Sequence, residues 1–210
     1  CVDLALPDDI KAVGVDVGTA TFATLSDGEK VKNPRFFKRD ANELAKAQRR
    51  LEKEAKGTPK RIKRKKVVAR IHERIANKRT DFAHQESRRL VNTYGVICFE
   101  DLNIKQMMSK HTEVFGNKLN KSIADVAWNQ FVQFTTYKAE SAGRRVVLVD
   151  PRNTSKMCSR CRSLVEKTLA DRIHHCPTCG LVLDRDHNAA INILALGLQR
   201  MGSIPRSPSL

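Results

Sequence analysis

The sequence predicts an α/β protein: one mixed sheet carrying two insertions, a basic helical hairpin and a four-cysteine zinc ribbon. Three observations predict it. Short β-rich apolar runs alternate with longer segments whose apolar residues recur at helical spacing. Two Cys-x-x-Cys pairs interrupt the last third of that alternation. The positive charge is concentrated in two consecutive helical segments in the first half of the chain.

Ala12 to Val17 reads as a short buried strand and Ala20 to Ser26 as a second. Ser26-Asp27-Gly28 marks a hairpin turn into a third strand, Glu29 to Asn33. Three antiparallel strands opening a domain resemble the order of RNase H-like folds. From Lys38 to Ala55, Leu44, Ala47 and Leu51 fall on one helical face, and Gly57-Thr58-Pro59 ends that helix. A longer helix follows to Asn92, with the stripe Val67, Val68, Ile71, Ile75, Phe82 and Leu90. Tyr94 to Glu100 is the fourth strand, and residues 105–121 read as a polar loop. Ser122 is placed as the N-cap of a helix holding Ile123, Val126, Ala127, Phe131 and Phe134 and closed by Gly143, with Trp128 as packing. Arg145 to Asp150 is a fifth strand, Asp186 to Leu196 a last helix, and the chain from Gly197 onward a disordered tail.

Composition narrows the partner. In 210 residues, 39 Lys and Arg stand against 23 Asp and Glu, a formal charge of +16. Residues 35–89 hold 20 of those bases and 7 acids, a net of +13, so the excess is local. A solvated helix pair laced by i,i+4 ion pairs is one reading of it. Phosphate contact is the favoured one, because the run Lys60, Arg61, Lys63, Arg64, Lys65, Lys66 and then Arg70 repels itself unless a polyanion neutralises it. Such a surface tracks a nucleic-acid backbone without reading bases. No apolar run is long enough to span a bilayer, which ranks a membrane far below nucleic acid, and no small-molecule substrate is indicated. No secretory signal opens the sequence, so it reads as cytoplasmic and nucleoid-associated. The start at Cys1, without methionine, reads as a chain whose upstream portion is absent.

Of six cysteines, Cys158 and Cys161 face Cys176 and Cys179 across 14 residues, the spacing of two knuckles around one tetrahedral zinc. A redox pair is the weaker alternative. A closed four-sulfur shell leaves no open position, so this zinc is structural. Cys98 is placed in the core. Arg160, Arg162, Arg172, His174 and His175 around the knuckles suit either contact with a nucleic-acid strand or plain surface decoration.

Three carboxylates stand out. Asp16 lies in Gly14-Val15-Asp16-Val17-Gly18, opposite in face to Val13, Val15 and Val17, with glycines as its same-face neighbours. Those glycines are expected to let a metal or a phosphate approach. Glu100 ends an apolar strand, where an unpaired carboxylate is costly to bury. Asp186 opens the last helix, where an N-cap is the plain alternative. In RNase H-like enzymes, acids from the first strand, the fourth strand and the last helix converge at one sheet edge. That resemblance implies two catalytic magnesium ions there, with manganese as a substitute, and ionised carboxylates at neutral pH.

Gly14 to Gly18, Phe22 to Gly28, His72-Glu73-Arg74-Ile75-Ala76-Asn77, Phe99-Glu100-Asp101-Leu102-Asn103, Tyr137-Lys138-Ala139-Glu140, Thr154-Ser155 and Asp184-Arg185-Asp186-His187-Asn188-Ala189-Ala190 together resemble the TnpB (OrfB) family. These are RNA-guided nucleases of insertion sequences related to type V CRISPR effectors. The resemblance implies a RuvC-type catalytic triad of Asp16, Glu100 and Asp186, with Asp184 as the fallback for the third acid. It implies a magnesium-dependent cut in DNA, directed by a guide RNA in the full-length protein. It divides the chain into an upstream remnant at 1–9, a RuvC-like domain at 10–153 with the hairpin inserted at about 38–92, a ribbon at 154–183, the last helix at 184–197 and a tail at 198–210. Arg162 departs from the family, which usually has glycine there. A non-catalytic nucleic-acid-binding module or guide-directed repressor is the first alternative, and a strand-transfer transposase the second.

Overall fold

A computed structural model describes residues 11–102, 128–168 and 171–202. The expected loop at 105–121, the Ser122 cap with Ile123, Val126 and Ala127, and the far tail lie outside those residues. Five strands form the main sheet: β1 (Ala12–Val17), β2 (Thr21–Leu25), β3 (Lys30–Lys32), β4 (Val96–Glu100) and β5 (Arg145–Val149). Their order is β3-β2-β1-β4-β5. The first three pair antiparallel, whereas β4 runs parallel to both β1 and β5. The sheet is therefore mixed, as expected.

Pleating sorts the side chains of the central strands onto two faces. On one, Val13, Val15, Ile97 and Phe99 pack with Ala83, Leu90 and Val91 of α2 (Pro59–Thr93) and with Phe131 and Ala139 of α3 (Trp128–Ser141). Trp128 joins that core, as expected. On the other face, Val96, Cys98 and Val149 pack with Ile193 of the last helix, α4 (Arg185–Gly202). Asp16 and Glu100 belong by parity to this second face, under α4.

The hairpin pairs α1 (Phe36–Glu52) with the N-terminal half of α2. Leu44, Ala47, Ile71 and Ile75 make a core of their own, separate from that of the sheet. One 35-residue helix thus serves two cores, and the stripe read from the sequence belongs to both. Val67 falls outside it and is exposed. Thr58 caps α2 through its side chain, accepting from the Arg61 amide at 3.2 Å, with Pro59 at the first helical position.

One expectation is corrected and one element is new. The last helix does not stop near Leu196 but runs to Gly202, taking in residues assigned to a disordered tail. Gly197, where the tail was expected to begin, is instead the point where α4 meets β4, since a Cβ there would stand 2.2 Å from the Cys98 Sγ. Near the cysteines, β6 (Ile173–His175) and β7 (Val182–Asp184) form a two-stranded sheet that no periodicity foretold, three residues being too few to show one. Among the described residues no helix is long and apolar enough to cross a membrane.

Candidate active site

The parallel register of β1 and β4 runs Gly14 to Cys98 and Val15 to Phe99, so Asp16 and Glu100 are the next residues along neighbouring strands. Both point to the α4 face, where Asp186 sits in the first turn of that helix. The Asp16 carboxyl feels the other two. Burial holds the Asp16 carboxyl well above the usual carboxylate range, and Glu100 and Asp186 push it further up, against a smaller lowering by Arg185. Burial also raises Glu100, opposed by a hydrogen bond from the Thr154 hydroxyl. Among the described residues the Asp16 carboxylate makes no hydrogen bond and no ion pair. A half-buried carboxylate facing two others, with no cation or donor of its own, is a donor set that suits a hard divalent ion.

Asp184 and Asp186 separate cleanly. Asp184 Oδ1 accepts from the amides of Asp186 at 3.0 Å and His187 at 3.1 Å, and its other oxygen pairs with Lys30 at 2.8 Å. Asp184 is therefore the cap of α4, the plain alternative that the sequence attached to Asp186. Asp186 is held on one oxygen by Arg185 at 3.1 Å, so a cation entering there must displace or share that contact. The three carboxylates are thus neighbours without forming a closed cage; among the described residues, the only His, Cys, Asp or Glu cluster already tight enough to hold a metal is that of the four cysteines.

Gly14 has a different use from the one expected. A Cβ there would lie 2.1 Å from the Ala190 carbonyl oxygen and 2.6 Å from the Leu194 amide, so its space is filled by α4 rather than by a metal or phosphate. It brings the backbone of the helix, and with it Asp186, against β1.

Cys158, Cys161, Cys176 and Cys179 place their sulfurs within 4.8 Å of one another. Cys158 lies 3.6 Å from Cys179, and Cys161 lies 3.5 Å from Cys176. Zinc–sulfur bonds of about 2.3 Å in a tetrahedron need edges of about 3.8 Å, so the cluster fits one zinc. The two knuckles repeat a single backbone pattern: Arg162 N to Cys158 O at 3.0 Å and Gly180 N to Cys176 O at 2.9 Å. Both turns are left-handed, with φ of 66° at Arg162 and 72° at Gly180. Arginine pays about 1 kcal/mol for that conformation where glycine does not, and its guanidinium reaches Asn192 Oδ1 at 3.2 Å in return.

Three residues to which the sequence reading gave no role tie ribbon to sheet. Asn188 and Asn192, both fully buried on α4, donate to the Met157 carbonyl at 2.8 and 2.7 Å; Asn188 also accepts from the Ser159 amide at 3.0 Å. Asn192 donates again to the Thr154 carbonyl at 2.9 Å, and the Thr154 hydroxyl bonds Glu100. Two asparagines four apart on the apolar side of a helix were the available signal, because buried amides need partners.

In the basic hairpin, Lys60, Lys63, Arg64, Lys65, Lys66 and Arg70 are exposed. Arg61 is not part of that surface. Its guanidinium donates to the carbonyls of Leu51 at 3.0 Å and Glu54 at 2.7 Å, closing the end of α1.

Comparison with known proteins converges on one group. A sequence model described as "Cas12f1-like, TNB domain" matches residues 128–193. The chain is 40% identical over 195 residues to a "Putative RNA-guided DNA endonuclease" of Streptomyces pristinaespiralis, covering 91% of this chain and 46% of that protein. It is 29% identical over 203 residues to the "CRISPR-associated endodeoxyribonuclease Cas12f1" of Sulfoacidibacillus thermotolerans, covering 87% and 45%. The chain spans less than half the length of these relatives. A cryo-EM structure of a Cas12f1–sgRNA–target DNA complex matches with a TM-score of 0.61 over 91% of this chain and 51% of that one; at 19% identity the likeness is one of fold. The OrfB_IS605 model, described as "Probable transposase", matches residues 2–111, just over half of the sequence, and the chain belongs to that family.

Proposed function

We propose that the chain is the catalytic part of a magnesium-dependent DNA endonuclease of the RNase H-like, RuvC type, guided by RNA in its full-length form. On this reading the nuclease domain spans 10–153 with the hairpin inserted at about 38–92, the ribbon spans 154–183, and the last helix completes the site. One observation supports it: Asp16 and Glu100 lie at the C-terminal ends of the neighbouring central strands β1 and β4, on the face covered by α4, whose first turn holds Asp186, and the Asp16 carboxyl is raised by both of the others.

Asp16, Glu100 and Asp186 would hold the divalent ions, magnesium or manganese, and the four cysteines one structural zinc. Bound at the carboxylates, two such ions supply activation of water and neutralisation of the leaving oxygen in phosphodiester hydrolysis. The chain's own groups do the rest. The oxygens of Asp16 and Glu100 project from adjacent parallel strands, so their spacing is set by the sheet and costs no rearrangement. Arg185 occupies one Asp186 oxygen until a cation competes for it. The exposed bases of the hairpin neutralise phosphates and hold the strand, leaving sequence choice to base pairing with the guide. The named activities of the relatives support this reading.

Single-stranded DNA offers a test without a duplex to open. With magnesium, the zinc-loaded wild type is expected to cut it and Asp16→Ala to cut at least about a hundredfold more slowly. Equal cutting by both, or none by the wild type, rejects the proposal. Binding without cutting, as a repressor would show, has the Arg185–Asp186 pair in its favour. Strand transfer has the family's description in its favour; joined donor and target products would establish it, and nicked or linear products alone would exclude it.

A further inference from the structure

We propose that Thr154, at the root of the zinc ribbon, is a positioning residue for Glu100, so that the divalent-ion site at the ends of the central strands depends on how the ribbon is docked. The proposal rests on reading the three carboxylates as that site. Thr154 is 2% exposed and lies between the end of β5 and Cys158, the first ribbon cysteine. Its hydroxyl bonds Glu100 Oε1 and also lies 3.1 Å from the Pro151 carbonyl oxygen. A hydroxyl has one proton to donate, and an ionised carboxylate is the stronger of two competing acceptors. Glu100 therefore takes the bond when it is charged, which is the state that binds a cation.

The hydroxyl orients Glu100 only if the Thr154 backbone is itself fixed. Asn192 fixes it, donating one amide proton to the Thr154 carbonyl at 2.9 Å and the other to the Met157 carbonyl at 2.7 Å. Asn188 adds a second donor to Met157 and holds the Ser159 amide. Both asparagines are fully buried, so shifting the loop would strand their amides without water. Asn188 stands two residues after Asp186 on the same helix. One set of bonds therefore links Glu100 on β4, the approach to the first knuckle and the helix that carries Asp186. Partners that orient a metal-ligating carboxylate in this way commonly govern affinity more than stability.

Manganese titration of the zinc-loaded chain by calorimetry tests it, with zinc stoichiometry as the check on folding. Thr154→Val keeps the volume and removes the hydroxyl, and is expected to weaken manganese binding about tenfold or more; Thr154→Ser restores the hydroxyl and should stay within about threefold of wild type. In a Glu100→Gln background the valine should add no further loss. Unchanged affinity in Thr154→Val overturns the proposal, and so does a loss in Thr154→Ser equal to that of the valine, which would mark a packing role. Should the valine variant fail to retain zinc, Thr154→Ala against Thr154→Ser decides the same question. A wild type that binds zinc but no manganese overturns the carboxylate site itself, and this proposal with it.

Discussion

At the scale of the residue, the carboxylates are costly to the fold that displays them. Asp16 is raised first by burial and then by Glu100 and Asp186, so without divalent ions its ionised form is disfavoured in the folded chain. The unfolded chain releases that proton in the ordinary carboxylate range and the folded chain at higher pH. Stability from this group is therefore full below the unfolded pKa and lost as pH rises through the folded one. Asp16→Asn is expected to stabilise the magnesium-free protein at neutral pH by about 1–3 kcal/mol, raising Tm by several degrees. Adding magnesium should raise the Tm of wild type and not of the variant. A variant less stable than wild type in magnesium-free buffer contradicts this account. Asp16 and Glu100 were legible as carboxylates placed where a strand has no ordinary use for them. Arg61 was misread, because composition counts a guanidinium as surface charge while the fold engages it on the carbonyls of Leu51 and Glu54.

At the scale of the element, α4 and the hairpin each concentrate one task. The closeness of α4 to β1 depends on Gly14 having no side chain, and the opposing atoms belong to the helix backbone, which cannot rotate away. Gly14→Ala is expected to cost about 2–3 kcal/mol through overpacking, seen as a lower midpoint in urea. It should also weaken divalent-ion binding, because Asp186 moves with the helix. A neutral alanine there would mean that α4 sits farther from the sheet. The hairpin has its own core and can change charge without disturbing the sheet. Replacing Lys63, Arg64, Lys65 and Lys66 with neutral residues should reduce the slope of log binding constant against log salt by about 3. Arg61→Ala should instead leave that slope in place and destabilise the hairpin. Equal slopes for wild type and the fourfold variant would remove the phosphate role.

At the scale of the whole molecule, two separate devices hold the chain together. The sheet core of Val13, Val15, Ile97 and Phe99 is apolar throughout, whereas among the described ribbon residues only Thr154, Cys158, His174 and Cys176 are buried. Chelating zinc is expected to raise amide exchange across residues 154–184 and the first turns of α4, with β1 and β4 still protected. Global unfolding on chelation would show the ribbon to be integral to the core, and unchanged exchange would show that the cysteines do not need the metal. Docking through Asn188, Asn192 and Thr154 predicts that the loosened region includes the surroundings of Glu100.

The sequence by itself determined the order of the main-sheet strands and of the helices, the four cysteines that cluster and the place of the charge excess, and it singled out three acids, because each rests on local spacing or on residue chemistry that survives any packing. The tertiary structure alone decided which aspartate caps α4, that the helix continues past Gly197, that Gly14 admits a helix and not a ligand, and that two asparagines join ribbon to sheet. Those outcomes depend on which backbone atoms from distant segments come within hydrogen-bonding or van der Waals reach. Spacing along one segment carries no record of its neighbour across the fold.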